Sequence, residues 1–158
     1  MSDIVNHKIT VENDCSDADI RLLIRNLVLY NDSQAEKENW RKLTIFVRNS
    51  QGEVIGGLNG YTHWNWLFIS HLWISQVIRN QGYGRELVIR AEQEAINRGC
   101  RHAYLDTFDF QACGFYEKLG YQVFGALQNF PENHTRYFLQ KRNIGSRTPR
   151  KLNSDLET

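Results

Sequence analysis

Arg79-Asn80-Gln81-Gly82-Tyr83-Gly84 separates two stretches of different periodicity. Before it, Trp66-Leu67-Phe68-Ile69 through Leu72-Trp73-Ile74 is an apolar run of strand length. After it, Leu87, Val88, Ala91 and Ala95 fall on one helical face, with Arg85, Glu86, Arg90, Glu92, Gln93 and Glu94 mostly outside it. Gly99 stands where a helix end calls for a left-handed residue. His102-Ala103-Tyr104-Leu105-Asp106 then reads as a strand. Strand, loop, helix and strand make a βαβ unit, which requires the two strands to be parallel and the crossover right-handed. The loop carries its own chemistry. A helix start leaves backbone N–H groups unpaired, and the aligned peptide dipoles add partial positive charge there. Gly82 and Gly84 let the chain turn tightly and a phosphate approach the backbone, and Arg79 and Arg85 add formal charge on either side. The stretch predicts a pyrophosphate site held mainly by main-chain donors.

Upstream, His7–Val11 has β character. Ser16 or Asp17 reads as the N-cap of a helix carrying Ile20, Leu23, Ile24, Leu27 and Val28, which runs out near Asn31-Asp32-Ser33. Gln34–Trp40 has the composition of a second, polar helix. Leu43–Arg48, the turn signal Asn49-Ser50-Gln51-Gly52 and Val54–Leu58 form a hairpin pattern. A further turn near Thr62-His63-Trp64-Asn65 leads into the strand before the glycine loop. Downstream, Gln111–Leu119 is a short helix ending at Gly120. Tyr121–Phe124 and Thr135–Leu139 are the last strands, joined by a loop holding Pro131. No internal repeat is visible. The expected organisation is one domain over residues 1–141 and a polar, aperiodic tail over 142–158, expected to be mobile.

The bulk numbers exclude several classes. Nineteen basic against eighteen acidic residues give a formal charge of +1, without the clustered excess that a nucleic-acid partner needs. Three cysteines, Cys15, Cys100 and Cys113, are an odd number with no CxxC spacing, which argues against a disulfide framework or a zinc site. No signal-peptide pattern opens the chain, and no apolar run approaches the roughly 18 residues of a membrane span. The expectation is a soluble cytoplasmic protein with no metal, no nucleic-acid partner and no membrane association. Its oligomeric state is left open, a homodimer included.

The glycine loop fits neither common nucleotide motif. The dinucleotide fingerprint needs a third glycine where Leu87 stands, and the Walker motif needs Lys and Ser/Thr where Arg85-Glu86 follow. Arg-x-x-Gly-x-Gly after an apolar strand instead resembles the acetyl-coenzyme A signature of the GNAT family of N-acetyltransferases. Gln111-Ala112-Cys113-Gly114-Phe115-Tyr116-Glu117-Lys118-Leu119-Gly120-Tyr121 is similar to that family's later segment, at the family's usual separation. The resemblance covers roughly residues 5 to 141. It implies an α/β (α+β) GNAT fold: a mixed, mostly antiparallel central sheet of six to seven strands flanked by about four helices. A splayed parallel strand pair in it binds acetyl-CoA. It further implies pantetheine along Leu72, Trp73 and Ile74, the Ile74 N–H polarising the thioester carbonyl. The pyrophosphate falls on Arg79, Asn80, Gln81, Gly82, Tyr83, Gly84 and Arg85, and Tyr116 on the family's general acid. Asp109 stands where the family often has an Asn that contacts the cofactor, with Gln111 as the alternative contact.

The general base is not given by the motif. Phe68 stands where some relatives keep a catalytic Glu. Asp106, at the end of the second parallel strand, is the first choice, since an ionised carboxylate there can attract a cationic amine and orient a water. His71 is the second, with His63 and His134 as further imidazoles. For the acceptor, Tyr61, His63, Trp64 and His134 are the expected contacts, with Trp66, Trp73, Phe130 and Arg136 nearby. Aromatic faces suit an alkyl, aromatic or cationic amine. The expected function is acetyl transfer from acetyl-CoA to a primary amine of a small molecule, by direct attack in a ternary complex. The alternatives are a protein lysine or N-terminal acetyltransferase and a non-catalytic coenzyme A-binding module.

Overall fold

The computed structural model describes residues 7–146 and divides the chain into two units, Met1–Glu38 and Asn39–Thr158. In the first unit the helix α1 spans Asp17–Gln34. Ser16 is its N-cap: the Ser16 hydroxyl accepts from the Asp19 N–H at 3.1 Å, satisfying one orphan donor of the first turn. Two expectations fail here. His7–Val11 forms no strand; β propensity makes a strand only where a ladder partner exists. Gln34–Trp40 forms no second helix, because Ala35 is extended and Asn39 takes a left-handed conformation, φ 51°.

The second unit is a six-stranded sheet, β1 Arg41–Arg48, β2 Val54–His63, β3 Trp66–Ile74, β4 His102–Phe108, β5 Gln122–Gln128 and β6 Thr135–Lys141. Their order is β1-β2-β3-β4-β6-β5, and every pair is antiparallel except β3–β4. The helix α2, Tyr83–Asn97, is the crossover between those parallel strands, and α3, Cys113–Lys118, follows β4. With α1 that makes three α-helices among the described residues, plus the 3-10 turn Gln76–Ile78.

Strand alternation explains which face is core. Leu67, Ile69, Ala103 and Leu105 are buried with Leu87, Val88, Ala91 and Ala95 of α2 in one cluster. Trp66, Phe68, His102, Tyr104 and Asp106 therefore point to the opposite face. Polar pins lock α2 to the sheet. Arg98 donates to the Arg41 and Lys42 carbonyls from the helix end, and Lys141 of β6 pairs with buried Glu92 at 2.8 Å. The ordered domain also extends past its expected limit. Ile144 is buried, and its N–H donates to the Arg101 carbonyl at 2.9 Å. The expected tail thus begins after a packed segment, and its residues 147–158 lie outside the described ones. No described helix is long and apolar enough to cross a membrane.

One irregularity positions the site. β3 and β4 pair only from Trp66–His102 to Ile69–Leu105, after which β4 stays with β6 as far as Phe108–Arg136. β3 stays with β2, through a bulge. Asn59 faces His71 and Gly60 faces Ile69, so Ser70 is the extra residue. The Ser70 hydroxyl donates to the Asn59 carbonyl at 2.8 Å, which holds the kink. Gly60 is required there, since a Cβ would collide with the Phe68 carbonyl oxygen. The parallel pair opens into a fork just after this bulge.

Candidate active site

The fork leads into a cleft of about 470 Å³ lined by Leu72, Trp73 and Ile74 of β3, by Ile78, Arg79, Asn80, Gly82, Tyr83, Gly84 and Arg85, and by Ala112 and Phe115. Ten of the residues that the resemblance assigns to the cofactor are Leu72–Ile74 and Arg79–Arg85. All but Gln81 line the cleft; the Gln81 carboxamide donates to the Val77 carbonyl instead, bracing the loop. Asn80 and Gly82 both adopt positive φ, 61° and 88°. Asn tolerates that region and Gly enters it freely, so the loop can curl and deliver the chain into α2. The first N–H groups of α2 have no intrahelical acceptor and open on the cleft. Arg79 is pinned by its Nε–H to the Ile74 carbonyl at 3.0 Å. A Cβ on Gly84 would stand 3.5 Å from the Phe115 ring and 3.9 Å from Ile74, inside the cleft. A cleft with free donors at one end, unladdered strand along its side and a glycine floor fits a long ligand with a diphosphate. The residues present suit coenzyme A.

Tyr116, on α3, is buried. Burial, with a smaller contribution from the charge of Asp106, pushes its pKa up to about 12. It is therefore a neutral phenol at any physiological pH. Asp106 is the first residue of β4 past the last rung shared with β3. It is not a free carboxylate: its Oδ2 accepts from Arg136 Nε at 2.8 Å and Nη2 at 2.7 Å. The Arg136 guanidinium in turn lies over the rings of Phe108, Phe130 and Phe138, at 5.3–5.6 Å. His71 is exposed at the bulge, with Nδ1 3.0 Å from the Ser70 hydroxyl.

Asp109 and Gln111 do not line the cleft. The Gln111 carboxamide oxygen accepts from the Phe108 N–H and the Thr107 hydroxyl, and so sets the turn that carries Ala112 and Phe115 inward. Asp109 accepts from the Thr135 N–H and from His134 Nδ1, both at 2.9 Å. Desolvation opposes its charge, but the Thr135 N–H and His134 outweigh that and hold its carboxyl below the usual range. Sequence reading did not find this pair, nor Asp106–Arg136, because each joins segments far apart in the chain. It also passed over Ile78 and Ala112 as lining.

The expected acceptor contacts separate into two places. Tyr61 faces Phe68 across the ladder, with Tyr104 also against Phe68, close to the base of the fork. His63, the last residue of β2, meets Tyr61 edge-on at 6.2 Å, and Trp64 packs on His63 at 4.3 Å, further from the fork. Trp64 and Asn65 take positive φ, 42° and 63°, and form the tight turn between β2 and β3. Six strand residues, about 20 Å, separate Trp66 from the cleft at Leu72. His134 is on the β5–β6 loop, against Asp109 at the end of β4 and next to Phe110. The three cysteines are free thiols, and burial raises the pKa of both Cys100 and Cys113. Among the described residues no group of three or more His, Cys, Asp or Glu could hold a metal ion.

A crossover helix over a forked parallel pair, with its glycine loop facing the fork, is an acyl-coenzyme A transferase architecture. The model of the acetyltransferase (GNAT) family matches residues 19–121. The chain is 36% identical over 133 residues to Acetyltransferase Atu2258 of Agrobacterium fabrum, covering 84% of this chain and 97% of that one. It is 38% identical over 92 residues to the blasticidin-S acetyltransferase of Streptomyces morookaense, covering 58% and 68%. The crystal structure of an acetyltransferase from Bacillus cereus superposes with a TM-score of 0.76 at 29% identity, over 84% of this chain and 97% of that one. The chain belongs to the GNAT acetyltransferase family and is an acetyl-CoA-dependent acyltransferase.

Proposed function

We infer that the protein transfers the acetyl group of acetyl-CoA to a primary amine of a small molecule, by direct attack in a ternary complex. The observation that carries this is the fork itself: a cleft lined by Leu72–Ile74 and the glycine loop, with Asp106 the first β4 residue past the last shared rung and Tyr116 next to the cleft-lining Phe115 on α3. Similarity to a blasticidin-S acetyltransferase supports a small amine as acceptor. Direct transfer is supported by the cysteines, since thiols with raised pKa are poor nucleophiles at neutral pH. Thiols kept free agree with a reducing cytoplasm.

In this reading each residue has a defined task. Acetyl-CoA supplies a thioester, an acyl group already activated toward amines. The loop from Arg79 to Arg85 binds its diphosphate with main-chain N–H groups, and the free edge of Leu72–Ile74 holds the pantetheine arm as an added strand would. The Ile74 N–H faces the developing oxyanion. Tyr116 donates a hydrogen bond to the departing sulfur. A phenol near pKa 12 does not hand its proton outright to a thiolate of pKa about 8.5. Its contribution is charge stabilisation in the transition state, not ready ionisation. Asp106, expected as the base, serves with Arg136 as a fixed dipole at the fork, where the carboxylate attracts a cationic acceptor.

The test is thiol release from acetyl-CoA against a panel of small amines and a panel of peptides. Small amines, blasticidin S among them, are expected to accelerate release, and peptides are not. Tyr116→Phe should lower kcat by about 10²-fold while leaving the KM for acetyl-CoA near its original value. Preference for peptides would move the acceptor to protein. Tight coenzyme A binding without acceleration by any amine would end the enzymatic reading.

A further inference from the structure

We propose that His134, oriented by Asp109, is the general base that takes the proton from the acceptor amine; this deepens the acetyl-transfer reading above and rests on it. The Asp109 carboxylate has only acceptor atoms, so a 2.9 Å contact with His134 Nδ1 requires the hydrogen on Nδ1. Nε2 is then the bare, basic nitrogen. The same carboxylate receives the Thr135 N–H through its other oxygen, which fixes it from both sides. Phe110 meets the imidazole edge-on at 4.9 Å and restrains its ring. The loop is braced as well: Phe130 N–H donates to the His134 carbonyl, and His134 N–H to the Pro131 carbonyl, each at 2.9 Å. A carboxylate, an imidazole with one nitrogen engaged and an exposed second nitrogen form the arrangement that general-base catalysis needs.

Position supports the role. Past the last β3–β4 rung, Ile69–Leu105, the two strands part: β3 goes on to Leu72 and Trp73, and β4 to Phe108. Asp109 directly follows β4 and His134 directly precedes β6, and the Asp109 N–H donates to the Thr135 carbonyl, so the dyad stands at the end of the β4–β6 limb of the fork. The other imidazoles are placed less well. His63 ends β2 opposite Trp66, at the far end of β3 from the cleft, and His71 has Nδ1 on the Ser70 hydroxyl. The charged groups around His134 are Asp109 in contact, Glu132 in the same loop, and the Arg136–Asp106 pair one step along β6.

Proton and electron bookkeeping closes. An ammonium acceptor loses two protons on becoming an amide: both leave in turn through His134 to solvent, and the departing thiolate, hydrogen-bonded by Tyr116, takes one back from solvent. The nitrogen lone pair forms the C–N bond, and the C–S pair leaves with sulfur.

The experiment compares His134→Gln, Asp109→Asn and the double variant with two acceptors. One is blasticidin S, and the other is hydroxylamine, which is neutral at pH 7 and has no ammonium proton to lose. With blasticidin S, His134→Gln should lower kcat/KM by about 10²-fold or more and abolish the acid limb of its pH profile. With hydroxylamine the loss should be several-fold at most. The affinity for coenzyme A should be unchanged in every variant, which shows that the fold is kept. Asp109→Asn should cost about tenfold, and the double variant should be no worse than His134→Gln alone. Nitrogen-15 NMR of the wild type should find the proton on Nδ1, a readout independent of the acceptor. Equal losses with both acceptors, a retained acid limb, or a proton on Nε2 would overturn the proposal. If wild type acetylates neither acceptor, the small-amine reading fails, and the NMR tautomer alone then decides whether the dyad is built as described.

Discussion

Gly84 illustrates how a single position serves two opposing ends. It begins the first turn of α2, where alanine is the better helix former by about 1 kcal/mol. Yet the space beyond its Cα belongs to the cleft, between Phe115 and Ile74. Gly84→Ala is expected to raise thermal stability slightly, and Gly84→Leu to fill the cleft. Calorimetric titration with coenzyme A should find affinity reduced more than tenfold in Gly84→Leu with the melting temperature maintained. Unchanged affinity would remove the ligand from this floor. Such glycines were legible in sequence because local geometry demands them. Asp109–His134 and Asp106–Arg136 were not, since 25 and 30 residues separate the partners and only the β4–β6 register brings them together. Asp106 was expected at the end of its strand, but β4 runs on to Phe108, and Asp106 marks instead the point where β3 has left it. What the sequence withheld was its partner, and with it the difference between a free carboxylate and an ion pair.

Strand β3 owes its shape to the bulge at Ser70, and the bulge depends on Gly60. Gly60→Ala should cost about 1–3 kcal/mol through the clash with the Phe68 carbonyl. Because the kink sets the fork, the same change should weaken coenzyme A binding. Gly125→Ala is the control: on β5 a Cβ would meet Phe138 no closer than 3.9 Å, and little change is expected. Urea unfolding and coenzyme A titration of both variants check this; equal behaviour would separate the bulge from the site. Periodicity revealed β1 to β6 and the parallel crossover, since each is an apolar run with clear punctuation. It was silent on the bulge, because inserting one residue between Ile69 and His71 leaves an apolar stretch looking continuous. It also overstated His7–Val11, where alternation was present without a ladder.

The tyrosines of the second unit make its stability sensitive to alkali. Tyr104, Tyr116 and Tyr121 all titrate above the ordinary tyrosine value, with burial as the main cause in each. The folded chain thus binds these protons more tightly than the unfolded chain, whose tyrosines titrate near 10. Stability should be level below about pH 10 and fall as pH rises toward the pKa of about 12 at Tyr116. Urea midpoints measured at about pH 8 and pH 11 should differ accordingly; equal midpoints would refute the linkage. Activity should persist to the onset of that loss, since Tyr116 keeps its proton until then. The fork has a further consequence. Only four rungs, Trp66–His102 to Ile69–Leu105, stitch the three strands β1–β3 to the three strands β4–β6. The sheet is a cloth with a short seam, and on the proposed reading an acyl donor lodged above the seam completes the unfinished stitching. Occupancy would then act as a fastener between halves, so that the donor would stiffen the enzyme that consumes it and each turnover would unfasten it again.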